Sequence, residues 1–237
     1  MKKAIAVMRK DLSEIRRNFQ VFGVMIIMPI IFGLIYPLVL YFIIPLVSMV
    51  DPAGVTYLIN ILSGMFLLMS VTIPVVVAAD SFAGEKERKT IEALLAAPIS
   101  DSELFLGKVL VSFVPTVVLT YLSSTIYCVL VDISIGSLIL PNIPFIVEMA
   151  LVPLFALLGI ELTVFISVRV KGFREAQQLA GIFIIPVLGL VMLNAFNISV
   201  FVFPWNIILL VGTGITDIGL WILATKKFGR ENIITKI

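Results

Sequence analysis

The chain has 237 residues, 60% hydrophobic and 14% charged, with 17 basic and 15 acidic side chains and no histidine. Soluble domains carry about 25% charged residues, so this composition excludes an ordinary water-exposed globule and reads as a polytopic membrane protein. The length allows one membrane domain, residues 1–237, and no second large soluble one.

The first element covers residues 1–20. Ile5, Met8, Leu12, Ile15, Phe19 and Phe22 recur at helical intervals, and Lys2, Lys3, Arg9, Lys10, Arg16 and Arg17 populate the rest. An amphipathic helix of this kind suits the headgroup layer, apolar side down and bases toward anionic lipid, or it packs on the protein's own loops. The apolar run that follows is too long for a signal-peptide core and is read as retained.

A membrane-crossing helix needs roughly 20 apolar residues, because each adds about 1.5 Å across a core of about 30 Å. Six stretches qualify: 21–50, 56–79, 104–131, 144–168, 177–195 and 203–225. The first is interrupted by Pro29, Pro37 and Pro45, each of which removes a backbone donor. It is read as a tilted or broken helix, or as a plain tilted span.

The basic residues set the orientation. Of the 17, six lie in residues 2–17, four in 86–108, three in 169–174 and four in 226–236, and none in the three intervening loops. The positive-inside rule then places both termini, and the loops after spans two and four, in the cytoplasm. The uncharged stretch 177–216, interrupted by Asn194, Asn197, Pro204 and Asn206, is either a plain hairpin or includes a re-entrant element covered by protein.

The loop after span two is the most charged internal segment. Asp80 to Glu103 carries nine charged groups, six of them acidic. A loop that only sets topology needs lysine and arginine, because acids contribute little to orientation. Gly84 reads as a break, "EKERKTIEALLAAP" (85–98) as a short helix ended by Pro98, and Ser100 with Glu103 as a capping box starting span three. Mixed charge beside the apolar Ile91, Leu94 and Leu95 suits docking onto a soluble protein, or else is a solvated helix without a partner.

Three acids fall inside predicted spans: Glu148 near the outer end of span four, Glu161 deeper in it, and Asp217 near mid-depth in span six. Such residues face protein, water or a partner, because lipid exposure costs a few kcal/mol. They mark either a polar path or hydrogen bonds between helices. Glu148 is close enough to the surface to be wet. Thr116, Thr120, Ser123, Ser124 and Thr125 of span three suit the same interior or a dimer face.

The run "AGEKERKTIEALLAAPIS", the following "GK" at Gly107–Lys108, the N-terminal "RKDLSEIRRN" and the later "SVRVKGFREAQQLAG" resemble the membrane subunits of ABC exporters of the second type. The resemblance implies an all-α permease subunit with six spans, working as a homo- or heterodimer with a separate ATP-binding subunit. It makes 1–20 an interface helix and 85–98 a coupling helix. Glu85, Lys86, Glu87, Arg88, Lys89, Thr90, Ile91, Glu92, Leu94, Leu95 and Pro98 would then form the ATPase-coupling segment. It also implies short re-entrant helices between the last two spans. Some relatives carry a large external domain between their first two spans, which this chain lacks. The substrate is left open among lipid, polysaccharide, drug, peptide and ion.

No Gly-x-x-x-x-Gly-Lys-Ser/Thr sequence occurs, so ATP and magnesium are expected on the partner and no cofactor on this chain. The absence of histidine and the single cysteine, Cys128, leave no metal cluster, catalytic triad or internal disulfide to expect. The partners expected are the ATPase, a second permease and plasma-membrane lipid, with no nucleic acid. The alternative function is an ion-coupled secondary transporter using Glu161 or Asp217. An intramembrane enzyme lacks the necessary residues.

Overall fold

The computed structural model describes residues 2–50, 52–90, 99–170, 172–195 and 200–227. The described residues are helical with no strand. The elements are α1 (Lys2–Ile15), α2 (Phe19–Ile30), α3 (Tyr36–Val50), α4 (Pro52–Ala79), α5 (Glu85–Glu87), α6 (Asp101–Ile135), α7 (Ile143–Ser167), α8 (Phe173–Gly181), α9 (Ile184–Ala195) and α10 (Trp205–Lys227). Among the described residues, six helical segments are long and apolar enough to cross a membrane: Phe19–Met49, Gly54–Glu87, Asp101–Ile135, Ile143–Ser167, Phe173–Leu193 and Trp205–Thr225.

Span one does not break at its prolines. A π-helical turn, Ile31–Ile35, joins α2 to α3 between Pro29 and Pro37. A proline lacks the backbone donor of the regular ladder, and a wider turn absorbs the misfit without ending the helix. The Ser123 hydroxyl of span three donates to the Pro29 carbonyl at 2.9 Å. Gly33 lies so close to Ser123 that a Cβ there would stand 2.6 Å from the Ser123 Oγ. Absence of a side chain is therefore what lets spans one and three meet.

Span two is the centre of the bundle and the most buried of the six, whereas span six is the least buried. Its helix packs against α6, α7 and α9. Phe66 stacks edge-on against Tyr127 and Phe32, and the Tyr127 hydroxyl donates to the Ile59 carbonyl at 3.0 Å. Large apolar side chains stay exposed on the outer faces of spans one and six, including Leu38, Phe42, Ile215 and Ile218. That is the arrangement for a surface facing acyl chains or another membrane subunit.

Several boundaries differ from the sequence expectation. Residues 1–20 are not one helix: α1 stops at Ile15, and Asn18 caps α2 by accepting from Gln20 N. The face of α1 buried against the bundle is Ala4, Val7, Asp11 and Ile15, while Ile5 stays 43% exposed. The helix packs on its own chain and still presents part of its apolar stripe outward.

Gly84 is no break. It ends a π-helical turn, Asp80–Gly84, through which span two runs on into α5. The first residues of the expected helix 85–98 thus complete span two. The chain turns at Arg88 and Lys89, where Lys89 adopts a left-handed φ of 57°. Ile91, Glu92, Leu94, Leu95 and Pro98 lie outside the described residues. Ser100 caps α6 at the expected position, its hydroxyl accepting from Glu103 N at 3.3 Å. Span five reaches back to Phe173, one bent helix built from α8 and α9. The loop proposed as hairpin or re-entrant falls partly on 196–199, outside the described residues.

Candidate functional site

The described parts of the basic segments lie at one end of the bundle. Lys10 of α1 bonds Glu85, Lys86 donates to the Val170 carbonyl after span four, and Ala224 near the end of α10 belongs to the same buried apolar cluster as Val7 and Leu104. At the centre of this end lies Lys108, whose side chain is 1% exposed. A lone ammonium there would be strongly disfavoured, so its surroundings must compensate it.

They do so from three elements. The Lys108 Nζ donates to the Glu85 carboxylate and to the Ser81 carbonyl, and lies 3.5 Å from Asp11 Oδ2. The Ser81 hydroxyl donates to the same Asp11 oxygen at 2.8 Å. Lys10 reaches Glu85 at 2.9 Å and Glu14 at 3.2 Å. Partial burial works against the Lys10 charge, but the hydrogen bond and the charge of Glu85 outweigh it and raise its pKa above the ordinary lysine value. Asp11, Glu14 and Glu85 bring oxygens within 4.8 Å of one another, an acidic group that could be taken for a metal site. Two ammonium groups already stand among them, and the group is a network of ion pairs.

Gly107, the residue before Lys108, makes the approach possible. A Cβ there would sit 2.7 Å from the Ala4 carbonyl oxygen and 2.8 Å from Val7 Cβ. The "GK" pair thus has one physical task in two parts: the glycine lets α1 lie against span three, and the lysine pairs with α1 and span two.

The other charges of the segment are also engaged inside the chain. Arg88 pairs with Asp80 at 3.0 Å, and Asn18 donates to the same Asp80 oxygen at 3.2 Å. Glu87 accepts from Phe173 N at 2.9 Å and so satisfies one of the free donors at the start of α8. Thr90 is tied back to the Glu85 carbonyl. Of the expected coupling residues, Glu85, Lys86, Glu87 and Arg88 therefore knit the bundle end together. Lys89 and Thr90 stand where the chain leaves it.

The sequence reading did not single out Asp11 and Ser81, and it named Lys108 only as part of a resemblance. A signal was present: Asp11 continues the helical line Ala4, Val7, Ile15, an acid among bases on a face otherwise apolar.

The intramembrane acids do not belong to this network. Glu161 and Asp217 are 1% and 6% exposed. None of their carboxylate oxygens has a hydrogen-bond partner among the described residues. Glu148 is not wet: it is fully buried against span two, beside Gly64, and neither of its oxygens has a hydrogen-bond partner among the described residues. Close packing accounts for the difference: Gly64 lies beside the carboxylate and lets Val191 of span five approach, where a Cβ would stand 3.0 Å from Val191, and Asn142, which caps α7, is bonded to Asn60 of span two at 2.9 Å. Thr116, Thr120, Ser123 and Ser124 are buried within the bundle, and Thr125 is exposed.

No curated protein matches the chain. A family model described as ABC-2 type transporter matches residues 3–206, which includes α1, the ion-pair network and the first five spans. The six apolar helices and this match agree, and the chain belongs to the ABC-2 type transporter family as a multi-pass membrane permease.

Proposed function

We propose that the chain is the permease subunit of an ATP-driven exporter in the plasma membrane, with its basic end in the cytoplasm and a separate ATPase bound there. ATP and magnesium belong to that partner, and two permease copies, identical or not, flank the translocation pathway. The observation that carries the reading is the Lys108 joint. It ties α1, the end of span two and the start of span three into one unit, and the segment 88–99 leaves from that unit. Force applied to the segment reaches both spans directly, because the ion pairs and close packing leave little slack.

Coupling then rests on Lys89, Thr90, Glu92 and the apolar Ile91, Leu94, Leu95 and Pro98 as the surface gripped by the ATPase. Glu85, Lys86, Glu87 and Arg88 act behind it, transmitting motion to spans two and three and to α8. Family membership favours this over the ion-coupled alternative at Glu161 and Asp217. α1, with exposed bases and a partly exposed apolar stripe, rests on the inner headgroup layer.

Deleting 90–97 tests the reading. The variant should insert normally yet fail to co-purify with, or stimulate, the ATPase. Undiminished recovery of an active complex would refute it. Cysteine labelling at position 89 should succeed only from the cytoplasmic side.

A further inference from the structure

A second site lies between spans one, two and five. A cavity of about 400 Å³ opens beside the basic end, and its mouth carries Gln20, Arg174, Gln177 and Gln178. Gln20 stands in the first turn of α2 and Arg174 in the first turn of α8, so both sit where their spans begin. The ends of crossing helices reach the headgroup layer. One turn or more further along the spans, the walls are Val75, Val76 and Ile184. Thr72 is the one polar group there, and its hydroxyl is already bonded to the Leu68 carbonyl at 2.8 Å.

The mouth holds donors without partners. Arg174 forms no ion pair and none of the three amide side chains forms a hydrogen bond among the described residues. No acidic side chain lines the cavity among them either. A guanidinium presents a planar set of donors matched to phosphate, and amides add further donors. Polar donors at the mouth with aliphatic walls beyond reproduce the order of groups along a phospholipid.

We propose that this groove binds one anionic phospholipid from the leaflet at the basic end, its phosphate on Arg174 and the amides and an acyl chain along Val75, Val76 and Ile184. The lipid bridges spans one, two and five. The site needs only the membrane and does not rest on the ATPase reading.

The test uses the full chain in nanodiscs of equal phosphatidylglycerol and phosphatidylcholine, with retained lipid read by native mass spectrometry and no ATPase present. The chain should retain phosphatidylglycerol preferentially. Arg174→Gln should lower that preference about tenfold, the effect of one lost charge-assisted hydrogen bond. Gly181 lines the groove with no atom within 4 Å of an added Cβ, so Gly181→Phe should fill it without disturbing the fold and reduce retention of both lipids. Helical content by circular dichroism should be unchanged in each variant. Equal retention of the two lipids, or an unchanged preference in Arg174→Gln, would overturn the proposal. So would displacement by excess inorganic phosphate, which would mark a free-anion site.

Discussion

Lys108 and Glu85 meet between the start of span three and the end of span two, each with 1% of its side chain exposed. Removing one member of such a pair leaves a buried charge uncompensated, at a cost of about 3–5 kcal/mol. Lys108→Met should therefore lower the unfolding temperature of the detergent-purified chain sharply. Adding Asp11→Asn and Glu85→Gln should restore much of it, because the orphaned charges are then gone. Equal stability of Lys108→Met and the parent would show that the network contributes nothing.

Gly107 supplies the approach that the ion pairs need. Gly107→Leu forces bulk into the space occupied by Ala4 and Val7, an overpacking cost of about 1–3 kcal/mol if α1 stays in place. The cheaper response is release of α1. A Val7→Cys reporter, buried in the parent, should become rapidly labelled in the Gly107→Leu background; slow labelling in both would contradict the packing.

Glu87 holds the start of α8 from another helix. Glu87→Ala should cost about 1 kcal/mol, the usual size of a lost helix cap. Amide exchange should quicken at Phe173 and the residues just after it, with little change in span three. Protection that stays uniform would mean the contact is incidental.

The Lys10 contribution depends on pH with a definite sign. Its pKa is raised in the folded chain, so the stability it adds is complete below the ordinary lysine value, about 10.4, and is lost as pH rises through the raised value. The difference in unfolding temperature between parent and Lys10→Met should be flat through neutral pH and narrow only in strong alkali. A difference that closes near neutrality would place the effect on another group.

Glu161 and Asp217 separate the two transport readings. Both are buried without hydrogen-bond partners, so Glu161→Gln and Asp217→Asn should not destabilise the chain. If ATP drives transport, the reconstituted complex should keep its activity in both variants. Loss of activity with intact ATPase recruitment would support an ion-coupled step at this pair.

Sequence alone determined the number of crossings, their approximate limits and the clustering of basic residues in four segments. These are properties of contiguous residues: apolar length must match the bilayer, and Lys and Arg near the ends of the spans can be counted along the chain. The helix start capped by Ser100 was legible for the same reason. The roles of the charges were not. Glu85, Lys86, Glu87 and Arg88 read as a surface for a partner, yet each is satisfied by Lys108, Val170, Phe173 or Asp80. Glu148 read as close enough to the surface to be wet, and it is buried under span two. Only the tertiary structure decided these, because a charge has no preferred partner until packing brings together groups such as Asp11 and Lys108, 97 residues apart.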